Sequence, residues 1–288
     1  MSFDPGAPGL PGRAFGLPHS VDDARVVLVP EASAAELAWF GDPTQALAAA
    51  PLLVAGSAPP QPDVAGRWKD GQGRFFPLGA RARVLVVNPR AGLAATPRHL
   101  SDLADPRLAG MQALVPFGGG EGPLTAAALA QVLGEPAALE LLRGVATARP
   151  QLAASDVQVQ ALVASGKAVF GLAGSEQGAA GAVSAAALAV VYPDQDRAGA
   201  LTFPTSVAVL APGASSEAAR RLAQWMASSD AEALLVARVP GYLPLRPGVP
   251  LPYGVRSALE IRSPPLDWER LAEAKRRLEP LLAAWPAP

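Results

Sequence analysis

The sequence predicts an α/β chain folded as two lobes with mostly parallel sheets, and three observations carry that prediction. Its 288 residues exceed one small domain and suit two lobes of ordinary size. Half of the residues are hydrophobic, enough to bury a large core. Strand-like apolar runs alternate with helical stretches along most of the chain, as in sheets crossed over by helices.

The first 24 residues carry Pro or Gly every few positions and read as a flexible leader. The run 25–29 (RVVLV), stopped by Pro30, is a first strand candidate, and 37–40 (LAWF) a second. Gly41-Asp42-Pro43 then turns into a helix over 44–50, and 57–73 is a Pro/Gly-rich loop. The run 83–87 (RVLVV), stopped at Asn88-Pro89, reads as a strand covered on both faces. A strand over 113–117 leads into Gly118-Gly119-Gly120, and helices follow over 124–133 and 136–148. Ser155 caps the next helix, which ends near Ser165.

Strands are predicted over 169–172 and 188–193, and over 200–211 with a break at Pro204. Ser215 is expected to cap a helix ending near Ala227, with Glu217 at its positive end. A helix over 230–238 and a final one over 267–285 complete the chain. Leu271, Leu278, Leu281, Leu282 and Trp285 are expected to share one face of the last. No fixed-period repeat is present.

Composition excludes several classes. A net charge of −1 gives no global basic field for nucleic acid or anionic membrane. The absence of Cys removes disulfides, thiolate metal sites and Cys nucleophiles together. No apolar stretch is long enough to span a bilayer, and residues 1–18 have neither the basic nor the apolar region of a signal peptide. The two histidines, His19 and His99, lack metal-ligand spacing and are expected on the surface, so no metal site and no cofactor is predicted. No Ser-His-Asp arrangement occurs either, so no catalytic residue is assigned and no enzyme is predicted. Lys is scarce (Lys69, Lys167, Lys275) beside abundant Ala, Gly, Pro and Arg, as a GC-rich coding bias would produce.

Two loops could carry a ligand. Gly118-Gly119-Gly120-Glu121-Gly122 joins a strand to a helix without the ending of a phosphate-binding loop. It is either a plain turn or a loop whose N–H groups face a solute from a helix start. Ser175-Glu176-Gln177 follows the strand over 169–172, where open α/β sheets place ligands, and is otherwise the capped start of a helix. Trp39, Trp68, Tyr192, Tyr242 and Tyr253 are expected in the core or at its rim.

From Ala35 onward, the order of segments resembles a type 2 periplasmic binding protein of the ferric-iron-like extracellular solute-binding family. The stretches that carry this are W-F-G-D-P-T-Q at 39–45, R-W-K-D-G-Q-G-R at 67–74, and G-A-R-A-R-V-L-V-V-N-P at 79–89. L-S-D-L-A-D-P-R at 100–107, V-V-Y-P-D-Q at 190–195, S-D-A-E-A-L-L at 229–235 and P-L-R-P-G-V at 244–249 continue it.

The resemblance implies two lobes, 25–110 plus 206–288 and 111–205, joined by crossing strands at 83–88 and 203–207. The first lobe is truncated, because 25–29 alone stands in for the family's opening strands and helices. The solute would bind in the interlobe cleft without chemistry, through Gly120, Glu121, Gly122 and Thr125, Ser175, Glu176 and Gln177, and Thr205 and Ser206; the alternative is a degenerate or repurposed paralogue that keeps the fold but binds no transport ligand. The implied partners are a small-molecule or ion solute and an ABC permease, the implied location is the periplasm, and the chain would be a monomer. The sequence departs from the ferric-binding pattern, since Gly174-Ser175-Glu176-Gln177 stands where those members have adjacent tyrosines.

A shorter likeness touches the leader. F-G-L-P-H at 15–19 with D-D-A-R-V-V-L-V-P at 22–30 resembles the opening of an agmatinase/arginase-type ureohydrolase. That resemblance would imply two manganese ions on Asp/His clusters, which two histidines cannot complete.

Overall fold

The computed structural model describes residues 35–93, 95–184, 187–251 and 255–286. The expected strand at 25–29, the ureohydrolase-like leader with His19, and Tyr253 lie outside these residues.

One strand organises the sheet. β2 (Phe76–Val87) is twelve residues long and buried throughout. Its first part, Phe76 to Ala82, pairs with β7 (Thr202–Val209), which pairs in turn with β1 (Leu37–Phe40). Its second part, Arg83 to Val87, pairs with β5 (Phe170–Gly174) and with β6 (Ala189–Val191). β5 continues to β3 (Gln112–Leu114) and β4 (Gln151–Leu152). β2 therefore changes neighbours between Ala82 and Arg83 and belongs to both halves of the sheet.

The expectation of mostly parallel pairing is corrected. Among the described strands, β3–β4 and β3–β5 pair parallel, while β1–β7, β2–β5, β2–β6 and β2–β7 pair antiparallel. The parallel pairs sit where helices cross over: α2 (Gly122–Leu133) and α3 (Glu135–Thr147) join β3 to β4, and α4 (Asp156–Ala164) joins β4 to β5. Elsewhere the chain turns back on β2, a choice that alternation of strands and helices does not encode.

Pro204 does not break β7. It pairs with Ala80 at the edge of a register shift between Pro77 and Ala80, where a residue without an N–H is tolerated. β3 ends at Leu114, short of the expected Phe117, because Pro116 cannot donate to a ladder.

Helix starts follow local chemistry. Asp42 caps α1 (Pro43–Ala48), accepting from Thr44 N at 2.8 Å and Gln45 N at 3.2 Å. Ser155 caps α4 as expected, accepting from Gln158 N at 3.3 Å. α6 (Glu217–Met226) is capped by Ser216 rather than Ser215: the helix begins one residue later than a Ser215 cap requires, and the Ser216 hydroxyl accepts from Ala219 N at 3.2 Å. Ser228 caps α7 (Ser229–Arg238), and Asp267 caps α8 (Trp268–Leu282). Leu271, Leu278 and Leu282 of α8 are buried, but Leu281 is exposed, because the helical turn carries it off the packed face.

A buried ion set fixes the segment after α7. Glu232 is 0 % exposed, accepts from Leu245 N at 2.8 Å and lies 3.2 Å from Arg246 Nη1. Arg246 Nε also meets Asp63 at 2.9 Å, and its Nη2 donates to the Ala227 carbonyl. Burial raises the Glu232 carboxyl above its usual range, although the Leu245 N–H and Arg246 oppose this. Among the described residues, no helix is long and apolar enough to cross a membrane.

Candidate functional site

β2 carries Arg-Ala-Arg at 81–83, so both guanidiniums leave the same face of the strand, at the point where it changes neighbours. Each is only 4 % exposed. Charges this deep persist only when paired, and here the partners come from the starts of three helices. Glu121, preceding α2, holds Oε1 2.7 Å from Arg81 Nη2 and Oε2 3.1 Å from Arg83 Nη1. Asp156, the first residue of α4, lies 2.6 Å from Arg83 Nη1 and accepts from Gly174 N at 2.7 Å. Glu176, in the first turn of α5 (Ser175–Ala182), lies 3.0 Å from Arg81 Nη1. Arg81 Nη2 also donates to the Gly41 carbonyl at 2.9 Å, just beyond β1.

Two guanidiniums thus face three carboxylates, and the electrostatics are uneven. Burial disfavours charge on Glu121, but Arg81 and Arg83 outweigh it and hold the carboxyl below its ordinary range. For Glu176 burial prevails over Arg81, helped by repulsion from Glu121, and the carboxyl rises. Tyr242 stands close enough to feel the set. Burial pushes its phenol up to about 12, with Arg81 opposing and both glutamates reinforcing.

The expected site residues divide by what they touch. Glu121 and Glu176 meet on Arg81. Ser175 donates to the Gly241 carbonyl at 2.6 Å and accepts from Ala82 N at 3.1 Å, tying α5 to β2 and to the segment after α7. Gln177 is buried beside them with Oε1 unpartnered. Thr125 instead donates to the Glu121 carbonyl within its own helix at 2.9 Å, and Thr205 to the Leu78 carbonyl at 2.5 Å. Ser206 Oγ is buried without a partner on β7. Gly122 is demanded by packing, since a side chain there would run into the Phe117 backbone, and Gly120 takes φ +53° in the same turn. The turn and ligand-loop readings of 118–122 therefore combine, with glycines folding the turn tightly enough to aim Glu121 at the arginines.

Arg81, Arg83, Asp156 and Tyr242 were not among the expected site residues. The available signal was two arginines at i and i+2 inside an otherwise apolar strand. His99 is not a solvated surface residue, since its Nδ1 lies 3.0 Å from Asp194 Oδ1. No group of three or more His, Cys, Asp or Glu among the described residues could hold a metal ion.

Gly241 has φ +99°, and a side chain there would strike the Ser175 carbonyl. Gly241→Ala is expected to destabilise the chain by about 1–3 kcal/mol and to loosen this junction. Chemical denaturation reads the first effect and amide exchange at 174–178 the second; unchanged values for both would show that the contact carries no weight.

A sheet whose long strand serves two halves, with charged groups gathered at the changeover, defines a two-lobed binding fold of the periplasmic type. Residues 52–271 match the family of bacterial extracellular solute-binding proteins, and the chain belongs to it. By sequence, no curated protein matches. Solved structures share the fold. Iron-bound HitA from Pseudomonas aeruginosa is 23% identical, with a TM-score of 0.75 over 88% of this chain and 85% of that one. Apo FutA2 from Synechocystis PCC6803 is 19% identical, with a TM-score of 0.74 over 88% and 85%. AfuA from Actinobacillus pleuropneumoniae, with fructose-6-phosphate bound, is 18% identical, with a TM-score of 0.71 over 86% and 81%.

Proposed function

We propose that the chain is the solute-capturing component of an ABC-type importer, working in the periplasm as a monomer and handing its solute to a membrane permease without covalent chemistry. The observation that carries this is the convergence on Arg81 and Arg83 of helix starts from the second half of the sheet, at the strand that crosses between the halves. In this reading the lobes are 25–110 plus 206–288 and 111–205, and β2 and β7 bend as they open and close. The solute contacts Glu121, Ser175, Glu176 and Gln177 together with the arginines. Thr125, Thr205, Ser206 and the two glycines shape the surroundings.

The neighbours named above carry iron in one case and fructose-6-phosphate in another. A ferric ion fits this chain poorly, because two guanidiniums stand among the carboxylates that would bind it. A thermal-shift and calorimetry screen of small anions, phosphonates, polyamines and metal ions tests the proposal. At least one is expected to stabilise the protein, by about 2.7 kcal/mol at a hundred times its Kd. A screen in which none does, at saturating concentration, contradicts it.

A further inference from the structure

Resting on the reading of this cleft as the solute site, we propose that Glu121 and Glu176 are built-in ligands: they occupy an oxyanion site made by Arg81, Arg83 and the starts of α2 and α5, and a solute oxyanion enters by displacing them.

Three features lead there. First, helix starts and guanidiniums both favour anions, the former through unpaired N–H groups and the latter through a planar fork. Here two guanidiniums meet three carboxylates of the chain, Glu121, Asp156 and Glu176, each carried at the start of a helix, α2, α4 and α5. Second, the internal carboxylates serve the site incompletely. Arg81 Nε and Arg83 Nε are buried without acceptors, and Glu176 Oε2 is buried without a donor. A phosphate or carboxylate group placed against the two guanidiniums would offer oxygens to donors that the glutamates leave unused. Third, the carboxylates differ in how firmly they are held. Asp156 is bonded to a backbone N–H as well as to Arg83, which makes it part of the frame. The Glu121 side chain is 16% exposed, the most accessible of the three carboxylates, and one methylene longer than that of Asp156.

A carboxylate tethered beside its guanidiniums competes at high effective concentration, so external anions bind weakly until it is removed. Glu121→Gln/Glu176→Gln keeps side-chain size and removes both competing charges. Calorimetry with inorganic phosphate, at ionic strength fixed with KCl, is expected to give a Kd at least tenfold tighter for this variant than for the unaltered chain. Phosphate should also restore the melting temperature that the substitutions lower. Glu121→Gln alone, which disturbs the buried set least, should move the same way, and Glu269→Gln on the surface should not. Equal phosphate affinity in the folded variant and the unaltered chain, or binding by neither, overturns the inference.

The outcome separates from the importer reading. An unaltered chain that captures a neutral or cationic solute, with no phosphate gain in the variants, keeps that reading and removes this inference. A phosphate gain in the variants, with no solute stabilising the unaltered chain, keeps the two glutamates as occupants of an oxyanion site but removes both the importer reading and the displacement step.

Discussion

Arg83→Met is expected to destabilise the protein by about 3–5 kcal/mol, because it leaves Asp156 buried without its guanidinium and Glu121 with Arg81 alone. In a chain of this size each kcal/mol moves Tm by about 2–4 °C, so the midpoint should fall by about 10 °C. The loss comes less from the attraction itself than from the carboxylates left behind. That distinction is testable, since Arg83→Met combined with Asp156→Asn should recover part of the loss. A single variant within about 1 kcal/mol of the unaltered chain would mean that water reaches these groups and that the set is not a buried one.

Arg246→Met is expected to cost a similar amount, about 3–5 kcal/mol, by a different route. Glu232 is fully enclosed and would lose its guanidinium partner, and the Ala227 carbonyl would lose a donor. Burial already raises the Glu232 carboxyl, so the variant should escape part of the penalty by protonating it. A group with a raised folded pKa favours the folded state more as pH falls. The Arg246→Met deficit should therefore shrink as pH drops from 7 towards 5. Urea denaturation across that range checks it, and a deficit independent of pH would show that Glu232 stays charged or finds another partner.

The two sets differ in origin. Arg246 and Glu232 lie in the stretches 244–249 and 229–235, both of which resemble the family, and their ion pair ties these neighbouring stretches together. Arg81 and Arg83 lie in a third such stretch, but their partners Glu121, Asp156 and Glu176 lie outside all of these stretches.

Much of the architecture was legible because it is local. Asp42-Pro43, Ser155 and Gly118-Gly122 fixed helix starts and a turn through groups a few residues apart. Pairing was not legible in the same way. Nothing near β2 announces that its first half joins β7 and its second half β5 and β6, since that choice is made by residues a hundred positions away. The same holds for the site. Glu121 and Ser175-Glu176-Gln177 could be found because ligands gather where strands end and helices begin. The arginines could not be placed opposite them until β2 was threaded between the halves. Asp156 read only as a residue after a cap, and its bond to Gly174 N depends on β5 ending beside α4.

The most direct test of the account is hydrogen–deuterium exchange on the unaltered chain with inorganic phosphate, citrate or fructose-6-phosphate, taking whichever raises Tm most in the screen. Protection is expected to change together in 79–84, 118–125, 174–178 and 240–243, the segments that meet at Arg81 and Arg83. Stabilisation by the compound with protection changing elsewhere, and none in these four segments, would contradict the claim that the solute binds at this junction.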